Sequence, residues 1–591
     1  MSMRPQPWPE PSAEIVAAVR AMYPGGRVPL PVAIRDQLGE LFTDEAFGAG
    51  FAARGKPGWS PGRLALVTVL QMAENLTDRQ AAEAVREKIS WKYALGMTLA
   101  DPGFDASVLC EFRARLVAHG LEERVLDVLL ARLGELGLVT ARGKQRTDST
   151  HVISAVRDLN RLELAGESIR AAVEALSVAV PGWLPTVIDL GDWAKRYGAR
   201  VDSWRLPSSQ AKRKQLAETY GSDALALLRA VSAPDAPDWL CELPAVEVLR
   251  RVLVQNYHIR TDTQGREVIT RREADTDGLP PGRLRISSPY DTDTRWAAKG
   301  EDLSWNGYKV HLSETCHTPD TKAPDTAHTR EDADTAQQQD APARPAPDEV
   351  PNLITNVATT DATVPDVAMT ESIHRMLQRR GLLPSQHYLD SGYPSAELVT
   401  RSRTEFGIEL ITPLLSDHSP QARAGAGYDR ASFTIDFDRQ QATCPQGHTS
   451  SSWNPVRQRG TDTIVISFPK TTCGPCPVRQ HCTTSRARRR QLTVHPHEVH
   501  TAQIQARALQ DTTPWQATYA LRAGVEGTIH QAVTVCDTRH ARYRGLRKVH
   551  LQHVFSAVAL NLIRLHAYWN DHPMDRTRTS HLARLELALA A

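Results

Sequence analysis

Three acidic residues lie far apart in this chain, each in a distinctive local setting, and a fold that uses them together must bring remote segments to one place. Asp148 lies in Gln145-Arg146-Thr147-Asp148-Ser149-Thr150-His151, and Asp390 in His387-Tyr388-Leu389-Asp390-Ser391-Gly392-Tyr393. Glu526 closes Tyr519-Ala520-Leu521-Arg522-Ala523-Gly524-Val525-Glu526. The first two read as aspartates at strand ends, the third as a glutamate on a helix. Tyr519, Arg522, Glu526 and His530 recur at i, i+3, i+7 and i+11, one helix face, beside the apolar Leu521, Val525 and Ile529. Taken singly, an aspartate after a strand is more often a turn or helix cap, and such a helix face can be plain amphipathic surface. Together, in this order, the acids can hold two Mg²⁺ (or Mn²⁺) ions roughly 3.5–4 Å apart, the arrangement that stabilises both oxygens of a phosphodiester displacement.

The 591 residues exceed what one core supports, so about two to four domains are expected. A hydrophobic share of 41% with 23% charged residues is ordinary for a soluble protein. No apolar run approaches the roughly 18 residues of a membrane span, and the first residues lack the apolar stretch of a secretion signal. With a net charge of only +2, nucleic-acid binding has to be argued from local clusters.

Residues 1–41 read as a proline-rich arm with a short helix over Ala13–Ala21. Residues 42–140 read as helical. Leu66, Val67, Leu70 and Ala73 share one face, Thr77 or Asp78 can cap a helix over Arg79–Lys88, and a third helix follows Asp105-Ala106-Ser107. That is compatible with a helix-turn-helix-like DNA reader or with a bundle whose basic residues face solvent. A strand runs from Arg142 to near Asp148. Residues 159–285 form a mainly helical insertion, in which Lys212-Arg213-Lys214 reads as a solvated face. Tyr308, Val310 and Leu312 alternate with Lys309, His311 and Ser313, the period of a strand with one buried face. Residues 317–350 hold almost no large apolar side chains and are expected to be disordered. Strands over Leu353–Val357, His387–Leu389 and Ile408–Thr412 alternate with helices over 370–380 and Ser395–Arg403, which indicates an α/β core. A helix over Thr513–Val535 carries the glutamate, and Val549–His566 reads as a core helix. Residues 571–591 form a tail.

Four of the eight cysteines cluster: Cys444 in Cys-Pro-Gln-Gly-His, then Cys473-Gly-Pro-Cys476, then Cys482. Cys-x2-Cys is a common half-site for tetrahedral Zn²⁺, and clustering without a signal peptide favours a metal over disulfides. His448 or His481 can replace one thiolate. A structural zinc would staple residues 416–499, a short insertion with little core of its own. Arg486, Arg488, Arg489 and Arg490 follow directly and form the densest basic run, a candidate DNA-backbone contact or a solvated loop. Trp296 and Trp305 flank Lys299. Such rings can stack on a displaced base, although a core or surface role is more common.

The Tyr519-x2-Arg522-x3-Glu526 pattern, with Asp148 and Asp390 before it, resembles the DDE transposases of bacterial insertion sequences, in the tyrosine–arginine–glutamate–lysine signature group. The resemblance runs from about Phe42 to about Arg564. It implies an RNase H-like catalytic core (141–158, 286–415 and 500–570), an N-terminal helical DNA-binding domain, and Asp148, Asp390 and Glu526 as ligands of two Mg²⁺ ions, with Asp148 bridging. It implies that Tyr519 and Arg522 contact the DNA backbone. The expected partners are double-stranded DNA, as terminal inverted repeats and as target, and further copies of the chain on paired ends. The expected place is the cytoplasm, with the nucleoid. The signature lysine falls on Val533, and Arg539, Arg542 or Arg544 can take its part. Two rival readings stand beside this one: a retired, DNA-binding descendant, and a metal-dependent nuclease without strand transfer.

Overall fold

The computed structural model describes residues 3–52, 54–55, 57–317, 350–458 and 460–571. The expected disordered loop and C-terminal tail fall, but for their end residues, outside the described residues.

Residues 3–41 hold the expected short helix and a second one, packed together. Helices Ala13–Met22 and Leu30–Leu38 bury Ile15, Val19 and Val32 against each other, and Trp8 is buried with its backbone N–H donating to Glu40 Oε2 (3.1 Å). Five helices follow: Pro61–Ala73, Asp78–Glu87, Ile89–Leu95, Ser107–Ala118 and Arg124–Glu135. Thr77 caps the second through a capping box with Gln80, so that helix starts at Asp78. The short helix Ile89–Leu95 was not foreseen by the sequence pattern, and Gly96 ends it in a left-handed conformation (φ 61°).

Strand β1 (Lys144–Ile153) leads into the helical insertion, whose helices Arg161–Ala179, Gln210–Val231 and Pro244–Asn256 enclose their own core around Ile169, Trp193, Tyr197 and Tyr220. A hairpin of β2 (Tyr257–Thr261) and β3 (Glu267–Arg271) closes it. The chain returns through β4 (Arg295–Lys299), β5 (Leu303–Thr315), β6 (Ile354–Asp361), β7 (Gln386–Tyr388) and β8 (Glu409–Ile411). These strands and β1 form one sheet in the order β6-β5-β1-β7-β8, with β4 pairing the first residues of β5. β5 is antiparallel to β1, β4 and β6, whereas β1, β7 and β8 run parallel, joined through helix Ala396–Phe406 between β7 and β8. β5 differs from the expected one-sided strand. Tyr308, Val310 and Leu312 are buried, and so are His311 and Ser313. The second face lies over a buried polar network that residue alternation does not reveal.

Helix Leu546–Trp569 explains how the parts join. From Val549 to Leu562 it is buried nearly all round, with Val549, Leu551, Val554, Phe555, Val558 and Leu562 packed beside the buried polar Gln552, His553, Ser556 and Asn561, so other elements cover it on most sides. Helix Pro61–Ala73 covers one flank and β6 another, and the N-terminal helices thereby share a single hydrophobic core with the sheet. Arg542 clamps the junction by donating to Leu76 O (2.6 Å) and to Asn75 Oδ1.

Beyond β8 a small module builds on β9 (Thr434–Asp436), β10 (Gln441–Thr443) and an antiparallel sheet of β11 (Ser452–Gln458), β12 (Thr461–Ser467) and β13 (Gln491–Val494). Its core is limited to a few residues, Phe433, Ile464, Ile466, Phe468 and Leu492 among them. No helix among the described residues is long and apolar enough to cross a membrane.

Candidate active site

Asp148 does not end its strand. β1 continues to Ile153 because Ser149–Ile153 still pair with β5, and Asp148 lies mid-strand opposite Leu312. Its neighbour β7 pairs Arg146 with Tyr388. Two residues further along parallel strands come Asp148 and Asp390, and side chains two apart share a face, so the register sets the two aspartates side by side. Glu526 is the third residue of helix Gly524–Cys536. All three border one cavity of about 750 Å³, together with Asp366, Lys299, Lys309, Arg522, His530, Val533 and Arg539.

The expected continuous helix over Thr513–Val535 is interrupted. Thr513–Tyr519 is α-helical, Ala520–Ala523 tightens to a 3₁₀ turn, and Gly524 restarts the α-helix. Arg146 of β1 causes this close approach: its Nη1 donates to Leu521 O (2.8 Å), and a Cβ on Gly524 would overlap the guanidinium. The same guanidinium donates through Nε to fully buried Glu314 Oε1 (2.7 Å), and Arg564 Nη1 donates to Glu314 Oε2 (2.8 Å). Thr528, two residues beyond Glu526, donates to Glu314 as well. Two arginines pair with this one buried carboxylate, so the charge of the acid is compensated. This network fixes the helix of Glu526 on the strand of Asp148.

The 3₁₀ turn brings Arg522 between two of the acids. Nη2 lies 3.0 Å from Asp148 Oδ2 and Nη1 2.9 Å from Glu526 Oε1. Arg522 is 15% exposed, Glu526 63%. Asp148 also accepts the Ser149 N–H (2.7 Å) and Asp390 that of Gly392 (2.8 Å). Even so, burial pushes the Asp148 carboxyl above the ordinary aspartate value. The Ser149 N–H and Arg522 oppose that rise, while the charges of Asp390 and Glu526 add to it. An acid so placed gains from an added cation. Among the described residues no three His, Cys, Asp or Glu side chains are gathered tightly enough to form a ready metal-ligand group. At the acid cavity Arg522 stands between Asp148 and Glu526. The donor set, hard carboxylate oxygens bordering one polar cavity, fits Mg²⁺ or Mn²⁺.

A fourth acid escaped sequence reading. Asp366 opens a short 3₁₀ turn, pairs with Lys309 Nζ (3.0 Å) and accepts Ser149 Oγ–H (3.3 Å). Nothing local marks it; only the pairing of β5 with β1 brings Lys309 and Ser149 to the same place. Beneath the cavity a buried polar chain joins the strands. Thr147 Oγ1 lies 2.7 Å from His387 Nε2, and His387 Nδ1 3.0 Å from His374 Nε2. His311 Nδ1 lies 2.7 Å from the Tyr393 hydroxyl. Burial holds His374 and His311 down to about 4 and His387 well below the ordinary histidine value, so the rings are neutral near pH 7.

Other expected site residues fall in several places. Tyr519 stacks on Trp515, with ring centroids 5.0 Å apart, at the end of the helix before the site. Arg486, Arg488 and Arg489 are exposed on the loop before β13. Arg490 differs from them: it is partly buried, its Nη1 donates to Cys482 O (2.9 Å), and its guanidinium lies over Phe433. Arg490 and Arg542, expected as DNA contacts, are thus engaged inside the protein. Arg544 is exposed near the Tyr290 ring. Trp305 is 7% exposed, with Nε1–H donating to Tyr308 O (3.0 Å), a core tryptophan at the cavity edge, whereas Trp296 is 61% exposed. Cys444, Cys473, Cys476 and Cys482 border a separate small cavity in the β9–β13 module.

Two family models match the chain, "Transposase DDE domain" over residues 443–566 and "Transposase domain (DUF772)" over residues 25–115. The first takes in Glu526 and the four clustered cysteines, the second the helices from Leu30–Leu38 to most of Ser107–Ala118; Asp148 and Asp390 lie outside both. No curated protein and no solved structure matches.

Proposed function

We propose, for a chain that is by family an insertion-sequence-type DDE transposase, that it binds the terminal inverted repeats of its element and cuts and joins DNA at the acid cavity. The observation that carries this reading is the convergence of Asp148, Asp390 and Glu526 on one cavity. The strand order β6-β5-β1-β7-β8, with β5 antiparallel to β1, supports an RNase H-like core. DDE transposase domains generally use divalent metals. Mg²⁺ or Mn²⁺ held by the three carboxylates, with Asp148 central, would stabilise the charge on the entering and leaving oxygens.

The chain's own residues bind and orient the phosphodiester. Arg522, which now pairs with Asp148 and Glu526, would be free to grip a backbone phosphate through two N–H groups were those carboxylates to hold cations. Arg539 takes the part of the lysine that Val533 lacks. Of the three candidate arginines it alone borders the cavity, held there by Nε donating to Thr150 Oγ1 (3.1 Å). Lys299, on the β4–β5 hairpin, borders the same cavity and adds positive charge. Exposed Trp296 on that hairpin is the better platform for a displaced base than buried Trp305. Arg486, Arg488 and Arg489 hold flanking DNA through its phosphates.

The test is Mg²⁺-dependent cleavage and joining of labelled DNA carrying the element ends, comparing wild type with Asp390→Ala. Cleavage and joining by wild type alone is expected. End binding without cutting in either protein would favour a DNA-binding descendant, and cutting without joining a nuclease.

A further inference from the structure

The function proposed above leaves one cluster of reactive side chains unused. Cys444, Cys473, Cys476 and Cys482 border one cavity of about 30 Å³, room for a particle of water size. Two tight turns present the first three. Cys444 N–H donates to His448 O (2.8 Å) and Gly447 N–H to Cys444 O (2.9 Å), with Gly447 at φ 78°, where only glycine is free of strain. Cys476 N–H folds back onto Cys473 O (3.4 Å), and the single turn Arg479–Cys482 supplies the fourth. The thiols are half-buried and unpaired by disulfides, and three of them pack on the small module core. The sulfurs share the cavity without yet closing on one point. Beside them, partly buried Arg490 places a positive charge at Cys482.

We propose that this cavity binds Zn²⁺ through the thiolates of Cys444, Cys473, Cys476 and Cys482, with Arg490 offsetting the net double negative charge of the filled site. Rotation of the cysteine side chains closes the sulfurs on the ion, and the four thiol protons leave to solvent. Tetrahedral thiolate sites of this kind contribute directly to folding, which a module with so small a core needs.

The experiment uses the full-length chain purified without chelators. Elemental analysis is expected to find one zinc per chain, retained in Cys110→Ser and lost in Cys473→Ser and Cys482→Ser. Replacement of zinc by Co²⁺ in the wild type should give intense sulfur-to-cobalt absorption of a four-thiolate, tetrahedral site; this holds even if the cysteine variants do not fold. Arg490→Gln should bind zinc about ten- to a hundredfold more weakly. Zinc-free protein whose clustered thiols react freely with a thiol reagent would overturn the proposal, as would iron in place of zinc. A cobalt spectrum of three sulfurs and one nitrogen would overturn the four-thiolate set in favour of His448, which also borders the cavity. Unchanged zinc affinity in Arg490→Gln would remove Arg490 from the site. None of these readouts depends on DNA cleavage.

Discussion

The acid cavity and the thiol cavity differ in size, in charge and in what holds them. The first offers about 750 Å³ and is bordered by four carboxylates and several cations. It is assembled from β1, the end of β7 and a helix near the end of the chain, and braced by the buried Glu314 network. It already contains a cation of its own, Arg522. The second offers about 30 Å³ and is bordered by four sulfurs close together in the chain, over a core of a few residues. The contrast teaches that one site is built by the fold, while the other, if it takes the zinc proposed, would help to build its fold. An occupant of the acid cavity can come and go without loss of structure, whereas loss of the ion proposed for the thiol cavity removes a support.

That contrast can be broken most directly at Asp148. Asp148→Asn should lower DNA cleavage about a thousandfold or more, some 4 kcal/mol of transition-state stabilisation, without lowering the melting temperature. The folded protein already holds this acid above its ordinary value, so its ionisation costs stability, and a neutral amide removes that cost. A variant that both melts early and fails to cut would mean that the acids also hold the fold together.

Glu314→Gln addresses the scaffold instead. Removing the shared carboxylate leaves Arg146 and Arg564 buried with an uncompensated charge, a cost of about 3–5 kcal/mol in denaturant unfolding. Zinc content should stay unchanged, since the network lies outside the thiol module. Loss of zinc in this variant would show the two regions to be coupled.

Gly524→Ala is expected to cost about 1–3 kcal/mol by overpacking against Arg146 and to slow cleavage by displacing Glu526. Activity equal to wild type would mean that the Glu526 helix tolerates a shift the geometry forbids.

The smallest effect is on pH. The raised Asp148 pKa means that this group favours the folded, metal-free protein at low pH and loses that contribution as pH rises from the ordinary aspartate value through the raised one. Bound Mg²⁺ demands the ionised form. Thermal stabilisation by Mg²⁺ should therefore shrink as pH falls through that window, and Asp148→Asn should flatten the dependence. A Mg²⁺ effect independent of pH down to the ordinary aspartate range would argue against Asp148 as a ligand.

Local signals were legible where their cause is local. The Thr77 cap, the apolar stripe of Leu546–Trp569, the Cys-x2-Cys turn and the settings of Asp390 and Glu526 all depend on neighbours within a few residues. Asp366 was not legible, because an aspartate opening a short turn looks like any other until β5 sets Lys309 beside it. Arg490 and Arg542 read as free cations because a run of arginines does not reveal which guanidinium finds a carbonyl inside the protein. His311 and Ser313 read as an exposed face for the same reason.

The sequence alone determined which side chains are available: three acids in distinctive settings, four thiols at ligand spacing, and a last long helix rich in apolar residues. The tertiary structure decided what those side chains meet. The parallel register of β1 and β7 sets Asp148 beside Asp390, and the Arg146–Glu314–Arg564 network brings Glu526 to them. The 3₁₀ turn puts Arg522 between the acids. These depend on pairings between residues hundreds of positions apart, set by burial and charge compensation in the folded chain, which no local pattern records.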